Sequence, residues 1–454
     1  MQKVLLLKGI VITALCLLFV IGLSMVSYLV YERQSYQEKV IDEIKQTHVR
    51  EQIVATPFLR FSHTAVAGQA PNIYPVFAED STTKGALKVS DDTYKRGIYR
   101  AINYQASLAL SQQYHLPATA APAPLPKQVA AQGTSTSAVN TLPSAPTLEL
   151  IIPVADLRGV NLPVVTVNNT SYQASFGSGA LAPVAGQLGA LSYLLVDISP
   201  LLTKDSKGNL NALDIHVEMT LDIAGIGSLE MIPMGKNSVV ELQGNWQAPK
   251  FYGDVLPPIK SFTQAGFSAS WDSPFLAQSN AASLQDILAC TSECASGSYQ
   301  RLGVDFVDEN NSYVRIDRSI KYALLLLLVS FGTFFLFEVV RSLKIHPVQY
   351  GLVASALLTF YVLLLSLSEY ILFWQAYAIA GAACVLLIGW YTSFMLHSKV
   401  RALIFMGILG SLYALFYVIL TATEFNLLLG ALFCFALVFV AMFVTRKIDW
   451  YGVK

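Results

Sequence analysis

Two hydrophobic patterns divide the chain. Apolar residues run without a charge over 10–30, and again almost continuously over 322–444, broken only by short polar punctuation. A helix needs about 20 apolar residues to cross a bilayer core of about 30 Å. Six stretches meet that length: 10–30, 322–340, 348–367, 376–396, 402–420 and 425–444. The polar stretch between the first two, 31–321, is long enough to bury a core of its own. The first run outlasts the apolar segment of a secretory signal and lacks a small-residue cleavage site, so it is expected to stay as an anchor.

Inside 31–321 the period first stays helical. Val40, Ile41 and Ile44, with Val49 beyond, make an apolar stripe in 31–49, which predicts a stalk helix continuing the anchor. The period then changes to two. Ile102, Tyr104, Ala106, Leu108 and Leu110 alternate with polar residues, as do Leu148, Leu150, Ile152 and Val154. The clearest strand is 213–223, where Leu213, Ile215, Val217, Met219, Leu221 and Ile223 alternate with Asp214, His216, Glu218, Thr220 and Asp222. After turns at Gly225-Ile-Gly227-Ser and Pro233-Met-Gly235, a further strand is expected over 238–246. Strict alternation marks strands with one buried and one wet face, and several of them with Gly/Pro turns predict a sandwich-like β domain. The Ala/Pro/Ser/Thr-rich stretch 116–147 reads as a long loop inserted in it.

Composition sharpens this division. Of all residues, 54% are hydrophobic and 13% charged, against about 25% charged in an average soluble protein. Thirty basic residues balance thirty acidic ones, so no excess positive charge points to nucleic acid. Lys and Arg set orientation. Lys3, Lys8, Arg341, Lys344, Lys399, Arg401, Arg446, Lys447 and Lys454 all fall on one side of a six-span topology, and the opposite short turns carry only Glu369 and Glu424. The positive-inside rule then makes both termini cytoplasmic and 31–321 extracytoplasmic.

Chemical signatures are sparse. Asp214, His216 and Glu218 share one face of their strand, but about 6–7 Å separates successive members, so one metal could reach two at best. A solvated sheet face accounts for the same pattern, and no metal or cofactor is assigned. Cys290 and Cys294 are a candidate disulfide in an oxidising compartment, with two free thiols as the alternative. The Phe176-Gly-Ser-Gly179 stretch does not fit a nucleophile elbow, and neither a zinc-protease motif nor a P-loop occurs. Asn168 and Asn169 head N-x-[ST] patterns, which matter only where the cell glycosylates. In the membrane half, Glu338 near the inner end of its span and Glu369 at the outer end of the next are the candidate polar positions. Ala376, Ala380 and Cys384, spaced by four, mark close helix packing. His346-Pro347 reads as a tight turn that starts the next helix.

Asp305, Tyr313, Arg318-Ser-Ile-Lys321-Tyr322, Phe334-Phe-Leu-Phe-Glu338, Ile345-His-Pro347 with Gln349-Tyr350, Leu363-Leu-Leu-Ser-Leu-Ser-Glu369, and Thr445-Arg-Lys-Ile-Asp449-Trp450-Tyr451 together form a recognisable set. With Asp156-Leu-Arg-Gly159, Trp246, Phe251-Tyr-Gly253, Leu256-Pro257 and Gly266-Phe-Ser-Ala-Ser-Trp271, the chain resembles the CreD family of bacterial inner-membrane proteins over most of its length. It departs at Thr47-His-Val-Arg50, where the family tends to show Ser-Trp-Gly-Gly, and at Thr423-Glu424, where an acidic pair is usual. The resemblance implies a role in envelope integrity, linked to a two-component stress regulon, colicin tolerance and β-lactam responses. It brings no catalytic residues with it.

The expectation is a membrane protein of six transmembrane α-helices, one N-terminal and five C-terminal, with a large β-rich extracytoplasmic domain. Residues 1–30 form the anchor, 31–321 the periplasmic domain and 322–454 a five-helix bundle. No catalysis is expected. The exported domain would bind an envelope protein or cell-wall partner while the helices sit in the lipid bilayer. One alternative is a transporter or permeability element using Glu338 and Glu369. Another is a hydrolase working through Asp214, His216 and Glu218.

Overall fold

The computed structural model describes residues 2–63, 72–118, 145–177, 191–206, 209–289, 299–306, 311–341, 346–395, 398–421 and 426–446. They form two units, a β-rich one over Val40–Glu309 and a helical one made of Met1–Lys39 and Asn310–Lys454. The first helix, α1 (Gln2–Thr47), contributes to both, so anchor and stalk are one uninterrupted element.

The β unit begins with β1 (Gln52–Ala55), β2 (Phe58–His63), β3 (Asn72–Val76), β4 (Asp80–Arg96), β5 (Tyr99–Leu116) and β6 (Thr147–Val154). A hairpin, β7 (Val164–Val167) and β8 (Thr170–Gln173), precedes β9 (Ser175–Phe176) and β10 (Ser192–Asp197). Then come β11 (Leu213–Ile226), β12 (Ser228–Ile232), β13 (Asn237–Gly244), β14 (Lys250–Gly253), β15 (Ile259–Thr263) and β16 (Gly266–Asp272). Helix α2 (Pro274–Ala289) and β17 (Leu302–Asp305) complete it.

Alternation does what the pattern predicts. On β11 the odd-numbered residues from Ile215 to Ile223 are buried, and the strand pairs with β5 from Leu213↔Leu116 to Ile226↔Asn103. Gly225 lies within that strand, so the turn expected at Gly225-Ile-Gly227-Ser falls to Gly227 alone, which has φ +87°. An eight-stranded sheet runs β15-β16-β13-β4-β5-β11-β7-β8. A nine-stranded sheet runs β14-β17-β12-β1-β6-β10-β9, with β2 and β3 attached through β6. One core holds Tyr104, Leu108, Val217 and Trp271 from the first sheet together with Leu59, Leu150, Leu194 and Val304 from the second. Burying apolar area on this scale, at about 25 cal/mol per Å², is the main force holding the unit together. The far side of the nine-stranded sheet carries a smaller cluster in which Phe58, Ile151, Ile232 and Tyr299 meet Leu284 of α2. No comparable buried cluster of described residues lies on the outer side of the eight-stranded sheet.

Entry and exit of the β unit are neighbours. Strands β1 and β17 flank β12, so Gln52 stands opposite Leu229 while Asp305 stands opposite Ser228. A domain with adjacent ends can be inserted into another chain segment without distorting either.

The helical unit continues with α3 (Ser312–Lys321), α4 (Ala323–Arg341), α5 (Pro347–Ser368), α6 (Phe373–Met395), α7 (Lys399–Thr421) and α8 (Asn426–Thr445). Among the described residues four helices are long and apolar enough to cross a membrane: Ile10–Thr47, Pro347–Ser368, Phe373–Met395 and Lys399–Thr421. Their interior is aromatic. Phe360 packs against Tyr361, Tyr377 and Tyr413 with ring centroids 4.7–5.5 Å apart, and Phe334 stacks on Phe405 at 4.5 Å. Ala376, Ala380 and Cys384 are buried, as their spacing predicts, and the Cys384 thiol lies 3.5 Å from the Ala356 carbonyl of α5. Outward-facing Tyr28, Tyr31, Tyr370 and Trp374, with Trp390 toward the other end of α6, suit the interfacial belts of a bilayer.

Candidate functional site

Three places gather polar side chains in a way that packing alone does not require. The first is the outer face of the eight-stranded sheet. Asp214, His216 and Glu218 project there, as alternation predicts, but they do not converge on one point. Asp214 accepts from His115 Nδ1 of β5 at 2.6 Å, and Glu218 contacts His216 Nε2 at 3.1 Å. No group of three or more His, Cys, Asp or Glu among the described residues is arranged to hold a metal ion. His115 is the partner sequence reading missed, because only the register of β5 against β11 brings it opposite Asp214. Asn168 and Asn169, read as glycosylation patterns, form the β7–β8 turn with φ +46° and +66°, a backbone that Asn tolerates better than most residues. The Asn168 side chain donates to the Asp214 carbonyl and accepts from the His216 amide, fastening the hairpin to β11.

The second place is a knot where α1 ends. Gln52 is fully buried, and its amide nitrogen donates to the carbonyls of Asp156 and Ala224 at 2.9 and 3.0 Å. The Asp156 amide returns a bond to Gln52 Oε1 at 3.2 Å. Its carboxylate accepts from the Arg50 amide, the Arg158 amide and the Arg158 guanidinium. Burial is the strongest single influence on that carboxyl and pushes its pKa up. The Arg158 and Arg50 donors together outweigh it and hold the group at about 2. Arg158 also donates to the Gln46 carbonyl at 2.7 Å, supplying a partner to a helix end that lacks one. A side chain at position 159 would run into the Ala224 carbonyl at 2.3 Å, so the glycine is obligatory. The Asp156-Leu-Arg-Gly159 motif thus latches the end of α1 in place.

The third is at one end of the helical unit. Glu369 caps the C-terminus of α5, where a carboxylate meets the negative end of the helix dipole. Its side chain is 11% exposed and is held by the Tyr313 hydroxyl of α3 at 3.1 Å and by Arg33 of α1 at 3.9 Å. Asn311, which caps α3, donates to Gln37 of α1 at 3.5 Å. Glu369 therefore ties α1, α3 and α5 together. Arg33 and Tyr313 were legible only as a stalk residue and as part of the resemblance. Glu338 lies on α4, and its side chain falls outside the described residues. Cys290 and Cys294 lie outside the described residues, as does most of the 116–147 loop. His346 turns out to be a helix cap: its ring accepts from the Val348 amide while Gln349 accepts from the His346 amide, and Pro347 opens α5.

These motifs fall in one family. The profile described as "Inner membrane protein CreD" matches residues 4–451. The chain belongs to the CreD family. It is 28% identical over 452 residues to Inner membrane protein CreD of Escherichia coli (strain K12), covering 96% of this chain and 91% of that protein. As in that family's name, the chain is an inner membrane protein, with several apolar helices and a β-rich unit. Among solved structures, M1 zinc metallopeptidase from Deinococcus radiodurans aligns with 5% identity and a TM-score of 0.20, covering 51% of this chain. Its form bound to a Tyr-Ser-Ala substrate gives a TM-score of 0.21. The chain spans about 42% of those enzymes, and at such scores the likeness carries no argument about this CreD-family protein.

Proposed function

We propose that this CreD-family chain maintains the cell envelope by binding an envelope component through its β unit, without a catalytic step. The observation that carries the reading is the polar outer face of the eight-stranded sheet, which no described element covers, while α2 packs on the far side of the other sheet. A face of that breadth offers a recognition surface, and the Asp214, His216 and Glu218 side chains on it are committed to pairwise contacts. In this reading the chain crosses the bilayer six times, with α4 and α8 joining the four long apolar helices. The two sheets around one core form a sandwich. Residues 31–321 are periplasmic and both termini cytoplasmic, as the nine flanking Lys and Arg residues favour. The link to an envelope-stress response rests on the family resemblance.

Two measurements test the reading. Single cysteines introduced at Leu201 and next to Lys399 should react with a membrane-impermeant maleimide on opposite sides of the membrane. Complementation of a strain lacking the protein should fail when residues 40–309 are replaced by a short linker. Labelling of Leu201 from the cytoplasm, or full complementation by the shortened chain, would refute it.

A further inference from the structure

Within the outer face of the eight-stranded sheet lies a trough that none of the contacts above occupies. The strand registers align Ser107, Ala86, Gln243, Ser268 and Ser261 in a single row across β5, β4, β13, β16 and β15, and every one of them is exposed. Short side chains at Ala86, Ser268 and Ser261 leave the sheet low along this row. The next row carries longer side chains, with Lys84 and Glu241 3.6 Å apart and neutralising each other. On the other side, Lys88 and Thr263 complete a concavity of about 450 Å³, within the usual range of about 300–1,000 Å³ for small-molecule sites.

The chemistry of the lining is selective. Ser261, Ser268 and Gln243 can each donate and accept, and the Thr263 hydroxyl, which donates to the Gly266 carbonyl at 3.2 Å, can accept, which matches a ligand whose own groups are mostly hydroxyls. No carboxylate lines the trough. Lys88 is its one charged side chain and makes no ion pair among the described residues. The two large apolar residues in the lining, Leu87 and Phe267, are buried beneath the surface, so the lining itself presents no large hydrophobic side chain. We propose that this trough binds an acidic saccharide, with the hydroxyl and amide row reading the sugar and Lys88 its anionic group. The inference rests on the envelope-binding reading and names the class of ligand.

The test uses the full chain in lipid nanodiscs with four probes: an oligogalacturonate, neutral dextran, poly-glutamate and inorganic phosphate. The oligogalacturonate should bind, and Lys88→Gln should weaken it about tenfold or more, as loss of a charged hydrogen bond does. Ser268→Tyr should block it by filling the trough, while Thr220→Tyr, exposed on the same face outside the trough, should leave it unchanged. Equal binding by Ser268→Tyr, or dextran, phosphate or poly-glutamate binding as tightly as the oligogalacturonate, overturns the proposal. So does the absence of binding by the wild-type chain. If that absence is found while the chain lacking 40–309 still fails to complement, the trough is refuted and the envelope reading stands. Full complementation by that shortened chain refutes the reading itself.

Discussion

Val164 on β7 and Leu386 on α6 are almost equally exposed, at 59% and 60%, yet their surroundings require opposite things of them. In the β unit exposed apolar residues, such as Leu162, Val164, Ile259 and Phe262, are few on a mostly polar exterior. In the helical unit they belong to a continuous apolar surface, with Leu352, Val362, Leu387, Leu403 and Val418 exposed as well. Apolar residues line both interiors, so the interior does not distinguish the units. The exterior does, because water and hydrocarbon select opposite surfaces. The interiors differ in grain: the β core is filled by large side chains at alternate positions, whereas α6 buries Ala376 and Ala380 where it packs against its neighbours.

That difference predicts opposite sensitivities to size. Leu108 is fully buried between the sheets, so Leu108→Ala should leave a cavity and cost about 2–5 kcal/mol, read as faster hydrogen exchange in β5 and β11. If the β core were as loosely graded as a helix surface, the loss would be below about 1 kcal/mol. In α6 the reverse change should hurt. Ala380→Leu should force helices apart at a cost of about 1–3 kcal/mol, measured by denaturation in detergent micelles. A neutral result there would show that the Ala376, Ala380 and Cys384 stripe does not set the packing distance.

Next in size is the latch. Asp156→Asn should cost about 1–3 kcal/mol, because the donors of Arg50 and Arg158 lose a charged acceptor. The pH dependence has a definite sign. The Asp156 carboxyl is lowered from 3.8 to about 2 in the folded chain, so its contribution is complete above the unfolded value and is lost as pH falls toward 2. The stability difference between wild type and Asp156→Asn should therefore shrink over that window, as followed by acid titration of circular dichroism. A difference constant from pH 5 to 2 would contradict the latch. The smallest effect is expected on the outer sheet face. Replacing Asp214, His216 and Glu218 together by Ala should change stability by no more than about 1 kcal/mol and leave complementation intact. Loss of complementation by the folded triple variant would return that face to consideration as a reactive site.

How much of this was legible in the sequence follows the same contrast. Strands β5, β6, β11 and β13 announce themselves because their buried positions are apolar and their wet positions polar. Strand β4 does not: its inward positions include Ser81, Thr83 and Gly85 beside Leu87 and Val89, so hydropathy barely alternates. Its length comes from pairing with β5 and β13, which no local pattern reports. Helix α2 was missed because Ala, Ser, Asn and Gln blur its stripe, although Asn280 is buried and bonded to the Pro233 and Gln300 backbones. Six apolar stretches were visible in the sequence, and four of the corresponding helices meet the crossing criteria among the described residues. The candidate sites were less legible. Glu369 stood out as an ionisable residue at a helix end, but its partners come from α1 and α3, far away in sequence.

Equal exposure means water in one unit and lipid in the other. The most direct measurement compares Val164→Asp with Leu386→Asp in the full chain, scoring membrane-integrated folded protein. A carboxylate at the middle of a crossing helix costs about 2.5–3.5 kcal/mol, so Leu386→Asp should sharply reduce integration while Val164→Asp stays near wild type. Equal yields from the two variants would contradict the account.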